Sequence, residues 1–174
     1  MSHPQVAPEL DVSEWLNTPK PIQLSELRGR VVVIHAFQML CPGCVAHGIP
    51  QATAIHNTFA REDVVVLGLH SVFEHHAVMG PDALKVFVRE YRIAFPIGID
   101  HPLPGQAIPS TMQQMGLKGT PSLIILDRDG VIQLHQFGRA SDMGVGALLG
   151  KLIAQSATIK AGTDQGGVCI PCSK

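Results

Sequence analysis

The run Val31-Val32-Val33-Ile34-His35-Ala36-Phe37 is apolar throughout except at His35. A stretch with no polar side reads as a strand covered on both faces, the central position of an α/β sheet. It leads directly into Cys41-Pro42-Gly43-Cys44. A buried strand ending in C-x-x-C, with a helix opening at the first Cys, is the layout of a dithiol redox centre. The first sulfur then meets the free N–H groups and positive end of the helix dipole, which stabilise a thiolate. The second sulfur follows three residues on, one turn away, within reach of a disulfide.

The rest of the chain supplies the partners of that strand. Val64-Val65-Val66-Leu67-Gly68-Leu69 is a second buried strand, and a right-handed crossover sets it parallel to the first. The helix between them carries Val45, Ile49, Ala52 and Phe59 on one side, with a kink expected at Pro50. His70 to Gly80 reads as a polar loop. Pro81 and Asp82 open a helix whose stripe is Leu84, Phe87, Val88 and Tyr91. Phe95 to Ile99 is a short strand, and Ser110 to Met115 a brief helix stopped at Gly116. Ser122–Leu126 and Val131–His135 flank Asp127-Arg128-Asp129-Gly130, a hairpin signal. Ser141-Asp142 caps a last helix that turns Val145, Leu148, Leu149, Leu152 and Ile153 inward. Near the N-terminus, Leu10–Leu16 is expected to form a hairpin with Ile22-Gln23-Leu24.

Bulk properties exclude several function classes. The 174 residues suit one domain with a sizeable core, and 45% hydrophobic residues argue against disorder. A net charge of -1 without a basic patch argues against nucleic acid as partner. The N-terminal residues show no basic-then-apolar leader, and no run approaches a membrane span of about 20 apolar residues. A soluble, cytoplasmic protein is expected, with no membrane contact. The four cysteines fall in two close pairs, Cys41/Cys44 and Cys169/Cys172. A disulfide-stapled secreted scaffold is usually shorter and denser in Cys, so redox or metal chemistry is the better reading.

The order βαβ, αβ, hairpin and closing helix, with C-P-G-C after the first long strand and Gly119-Thr120-Pro121-Ser122 before the hairpin, resembles the thioredoxin-like fold. The closer likeness is to its redoxin branch, similar to TlpA-like proteins and peroxiredoxins, and covers roughly residues 8–157. The resemblance implies an α/β three-layer sandwich with a mixed central sheet, an N-terminal hairpin leading into it and an insertion before a cis-Pro. The domain spans 1–160, and 161–174 is a flexible tail holding the second C-x-x-C. By the same resemblance the chain is a thiol-disulfide oxidoreductase without cofactor. Cys41 is then the attacking thiolate, Cys44 the resolving thiol and Pro121 the cis-proline. Pro42, Thr120 and Pro121 face substrate, with the Thr120 backbone able to pair with a substrate strand. The expected partner is a thiol or disulfide protein, or an electron donor, and the expected state a monomer or weak dimer. Two positions depart from the family: Leu40 stands where Trp is usual, and Pro-Gly separates the cysteines.

His35 occupies the site where thioredoxin-like proteins often hold a buried acid. It could handle the proton of Cys44, or be a core histidine bonded to backbone. Cys169 and Cys172 end a coil of about a dozen residues, which spans roughly 20 Å on average and about 40 Å stretched. They could act as a second redox pair, or be incidental. A zinc ribbon would place its pairs about 15–20 residues apart, so no metal site is expected. His70, Glu74, His75 and His76 crowd one loop that reads as solvated, and His47 and His56 as helix residues. Leu40, Phe37 and Met39 are either a docking surface or core. Two other classes stay open. A peroxiredoxin needs Pro seven and Thr or Ser three residues before its Cys, and Ile34 and Gln38 stand there. A copper chaperone would need a His partner such as His101 or His135.

Overall fold

A computed structural model describes residues 5–162 of the chain. Every residue of β2 (Val31–Phe37) is buried. Its side chains alternate, Val31, Val33 and Phe37 entering one core and Val32, Ile34 and Ala36 the other. β3 (Val64–His70) runs parallel to it, Val31 opposite Val64 and Phe37 opposite His70. The strand takes in His70, which the sequence pattern leaves to the following loop. β4 (Ile97–Asp100) continues the parallel set beside β3. On the other side of β2, β5 (Ser122–Leu126) pairs antiparallel and β6 (Ile132–Phe137) pairs antiparallel with β5.

β1 (Val12–Leu16) corrects one expectation. It lies antiparallel to β4 at the sheet edge, Val12 opposite Asp100 and Leu16 opposite Ile97. No hairpin with Ile22-Gln23-Leu24 forms, and Leu24–Leu27 is a 3-10 turn instead. Pro19 and Pro21 remove two backbone donors from that segment, which suits it poorly for a ladder. The Glu9 carboxylate accepts from the amides of Leu24 and Ser25, and Leu24 and Leu27 bury against the sheet. The end of β1 is anchored far along the chain: Asn17 Nδ2 donates to the carbonyls of Ile93 at 2.7 Å and Phe95 at 3.1 Å.

The strand order is β1-β4-β3-β2-β5-β6. On one face pack α1 (Ile49–Thr58), α2 (Pro81–Glu90) and α4 (Asp142–Gly162), through Ile49, Leu84, Val145 and Leu149 among others. On the other lie the 3-10 turn and α3 (Ser110–Gln114), through Leu24, Leu27 and Met112. The chain is the expected three-layer α/β sandwich with a mixed sheet. In α2, Leu84 and Val88 are buried and Phe87 half-buried, while Tyr91, just past its end, lies half exposed and stacked on Phe87 at 4.3 Å. Truncating the fully buried Leu84 to Ala would cost about 2–5 kcal/mol. Among the described residues no helix is long and apolar enough to cross a membrane.

Asp100, at the end of β4, joins three segments. Its carboxylate accepts from Ser71 Oγ at 2.8 Å and from the N–H groups of Thr111 at 2.7 Å and Met112 at 3.0 Å. It therefore caps α3 from outside that helix. α3 leads straight into the loop that carries Thr120 and Pro121.

Candidate active site

The chain turns helical at Pro42 and passes through one π turn, Cys44–Gly48, before α1. Pro50 explains the wide turn. Its ring would crowd the Ala46 carbonyl and it brings no N–H, so a regular α turn is unfavourable there. The Ile49 N–H reaches back to the Cys44 carbonyl, five residues away. Pro50 thus widens the helix locally, one turn after the cysteines.

The two sulfurs sit in unlike places. Cys44 is fully buried, whereas Cys41 is partly exposed, and neither is in a disulfide. The Cys44 N–H donates to Cys41 Sγ at 3.3 Å, and the Cys41 thiol reaches the Thr120 carbonyl at 3.4 Å. Burial pushes the Cys44 thiol up to about 12, and its hydrogen bond with Cys41 and the Cys41 charge add to this. Contacts with the Gln38 backbone and the Thr120 side chain pull the other way.

The Thr120–Pro121 peptide bond is cis. A β-carbon at Gly43 would stand 3.2 Å from Cδ of Pro121, so helix start and proline loop are in close packing. Cys41, Pro42, Cys44, Thr120 and Pro121 therefore form one site, with Pro42 exposed. Of the three apolar candidates, Leu40 is 58% exposed while Phe37 and Met39 are core residues.

His35 lies deeper. It is buried on β2 and stacks on Phe37 at 6.0 Å. Its ring abuts Gly48, one turn past Cys44, where any β-carbon would overlap Cε1 and Nε2. No hydrogen bond joins it to Cys44 among the described residues, and Nε2 has no partner. Burial holds it uncharged, down to about 4. Gly48 and the Gln38 backbone escaped the sequence reading. A glycine four residues past the second Cys was the only trace of the first, and a backbone contact leaves no trace at all.

The other histidines are spread over the fold. Glu74, His75 and His76 are exposed, His70 is buried at the end of β3, and His101 Nδ1 pairs with Asp11 Oδ1 at 3.0 Å. His135 is exposed on β6 and His47 on the helix, while His56 is buried. Among the described residues no group of three His, Cys, Asp or Glu could hold a metal ion. Cys169 and Cys172 lie outside the described residues.

A buried thiol and a partly exposed one at a helix start, packed against a cis-proline loop in a layered α/β fold with a mixed sheet, define a thioredoxin-like oxidoreductase. Residues 4–135 match the AhpC/TSA family, and the chain belongs to it. A thiol-disulfide isomerase from Corynebacterium glutamicum shares 54% identity at TM-score 0.82, covering 85% of this chain and 96% of that one. A thioredoxin-like superfamily protein shares 49% identity at TM-score 0.83, with the same coverage. NHL repeat-containing protein 2 from Homo sapiens is 32% identical over 120 residues, 67% of this chain and 15% of that protein. This chain therefore spans only a small part of that relative's length.

Proposed function

We propose that Cys41 and Cys44 exchange a dithiol for a disulfide with a protein substrate, Cys41 attacking and Cys44 resolving. The observation that carries this is the asymmetry of the sulfurs: one partly exposed and held by a helix N–H, the other fully buried. The Cys41 thiolate attacks one sulfur of the substrate disulfide, and the other substrate sulfur leaves and takes up a proton. A mixed disulfide on Cys41 results. Cys44 then gives up its proton and attacks Cys41, the second substrate sulfur leaves as a thiol, and the Cys41–Cys44 disulfide forms. Two electrons pass to the substrate, and an external dithiol restores the protein.

The surroundings of Cys44 support that order. Two of the influences that hold its proton come from Cys41: a hydrogen bond and a charge. Both vanish once Cys41 enters a mixed disulfide. The contacts from Gln38 and Thr120 remain and favour the thiolate. Capture of substrate at Cys41 thus lifts part of the hold on the Cys44 proton, burial keeping the largest part. Exposed Leu40 and Pro42, beside Cys41, supply an apolar face suited to a protein partner. Pro42, Thr120 and Pro121 are assigned to that substrate side.

Peroxide reduction, the other chemistry of this family, finds no Thr or Ser at position 38, where a buried Gln stands. Multiple-turnover reduction of a protein disulfide by a dithiol tests the proposal. Cys41→Ser and Cys44→Ser should each lose it. Full turnover in either variant, or stoichiometric consumption of peroxide by Cys44→Ser at an undiminished rate without disulfide exchange, would contradict it.

A further inference from the structure

The chain carries a second C-x-x-C that the exchange at Cys41 and Cys44 leaves unused, in Val168-Cys169-Ile170-Pro171-Cys172. Between residues 163 and 174 only Asp164 and Lys174 are charged, and Val168, Ile170 and Pro171 flank the two thiols. The active site offers a matching surface. Leu40 and Phe137 are more than half exposed, and Pro42 is exposed too. Phe137 lies against Gly119, where a β-carbon would stand 2.9 Å from its ring, so it borders the loop that carries Thr120 and Pro121. Covering these apolar side chains with an apolar segment removes both from water.

The fold decides whose site this segment can serve. Ala36 pairs with Ser122 and Ser122 with Phe137, so β6 ends beside the active site. α4 begins shortly after and returns over the sheet through Val145, Leu149 and Leu152. Its 21 residues span about 30 Å, against about 23 Å for the 7 of β2. Gly162 therefore stands at the far end of the sheet from Cys41. From there Cys169 can lie at most about 25 Å away and Cys172 at most about 36 Å. The helix takes up part of the stretch that the sequence reading left free. Cys169 thus falls short of its own Cys41, and Cys172 reaches it only when the chain is drawn out straight. A second copy carries no such limit.

We infer that the Cys169/Cys172 dithiol of one copy reduces the Cys41–Cys44 disulfide of another, docking on its Leu40 and Phe137 rim. The inference rests on the dithiol reading and names the dithiol that restores the site. Cys44 is fully buried, so an incoming thiolate meets only Cys41 Sγ. One tail thiol gives up its proton and attacks that sulfur. The Cys41–Cys44 bond breaks, and Cys44 leaves and takes up a proton. The second tail thiol then gives up its proton and attacks the first tail sulfur. Cys41 leaves and takes up a proton, and the Cys169–Cys172 disulfide forms. Two electrons pass from one copy to the other, and an external dithiol reloads the tail.

The test mixes two full-length variants. Cys169→Ser/Cys172→Ser, oxidised at Cys41–Cys44, is the receiving chain, and reduced Cys41→Ser/Cys44→Ser is the donor. Acid quench, alkylation and mass spectrometry count the free thiols on each chain over time. Thiols should disappear from the donor tail and appear at the receiving site, pair for pair. The rate should scale with both concentrations and exceed that of dithiothreitol at equal concentration by about tenfold or more. Phe137→Ser in the receiving chain should slow transfer about threefold or more and leave reduction by dithiothreitol unchanged. Slower transfer than this, or none, would overturn the inference, and a smaller effect of Phe137→Ser would overturn the docking. Failure of the dithiol reading shows separately, as a receiving chain that passes nothing to a protein disulfide once Cys41 and Cys44 are reduced.

Discussion

The backbone N–H of Cys44 donates to Sγ of Cys41 at 3.3 Å, so the reactive sulfur is held by the main chain of its buried partner. At this helix start the same N–H also donates to the Cys41 carbonyl at 3.0 Å, so carbonyl and sulfur of Cys41 share one donor. The same turn buries Cys44, within reach of the Thr120 side chain. One helix start thus sets both the accessibility of one thiol and the protection of the other.

Selective labelling follows. With Cys44 at about 12, roughly one molecule in 10⁵ carries its thiolate at neutral pH. Iodoacetamide on the folded, reduced protein should label Cys41 and leave Cys44 intact, as read by peptide mass mapping. Cys44 should label only after denaturation. Equal labelling in the folded state would contradict the site.

Acid should weaken the fold through two histidines in one row. His35 stacks on Phe37, and Phe37 tilts against His70 at 5.3 Å. Burial depresses both imidazoles from 6.5 to about 4. The unfolded chain binds these protons near 6.5 and the folded chain only near 4, so their contribution is full above 6.5 and lost as pH falls toward 4. Each should remove about 2 kcal/mol by about pH 5. Urea unfolding at neutral and mildly acid pH measures this, and His70→Leu should flatten the profile by about half. A profile with no loss in that window would contradict the assignment.

Asp100 should be a stability residue that also shapes the site. Asp100→Ala strands three donors, from Ser71, Thr111 and Met112, at a cost on the order of 3 kcal/mol. It also frees the start of α3, upstream of the proline loop. Denaturant unfolding should show the loss, and backbone amide exchange should rise across residues 110–120. Unchanged stability would contradict the capping role.

What was legible in the sequence was what local pattern encodes. β2, β3 and β5 show as β-branched runs because both faces are buried, and the turn at Asp127–Gly130 shows through its residue types. The dithiol pair was visible because its function requires a fixed spacing. β1 was placed within Leu10–Leu16, but its partner was missed because it is β4, Val12 opposite Asp100, and no local signal encodes so distant a pairing. Tyr91 kept the helical period of α2 but lies at its end, where stacking on Phe87 leaves half of it in water. His35 was singled out as buried, but the close approach of Gly48 to its ring was not foreseen, since such tertiary packing is invisible to periodicity.

Trapping is the most direct test of the central claim. Cys44→Ser, mixed with a disulfide-bearing protein, should accumulate a covalent adduct through Cys41, stable without reductant and released by dithiothreitol. Cys41→Ser should give none. An adduct through Cys44 in Cys41→Ser, with none through Cys41 in the reciprocal variant, would show that the roles of the two sulfurs are wrong.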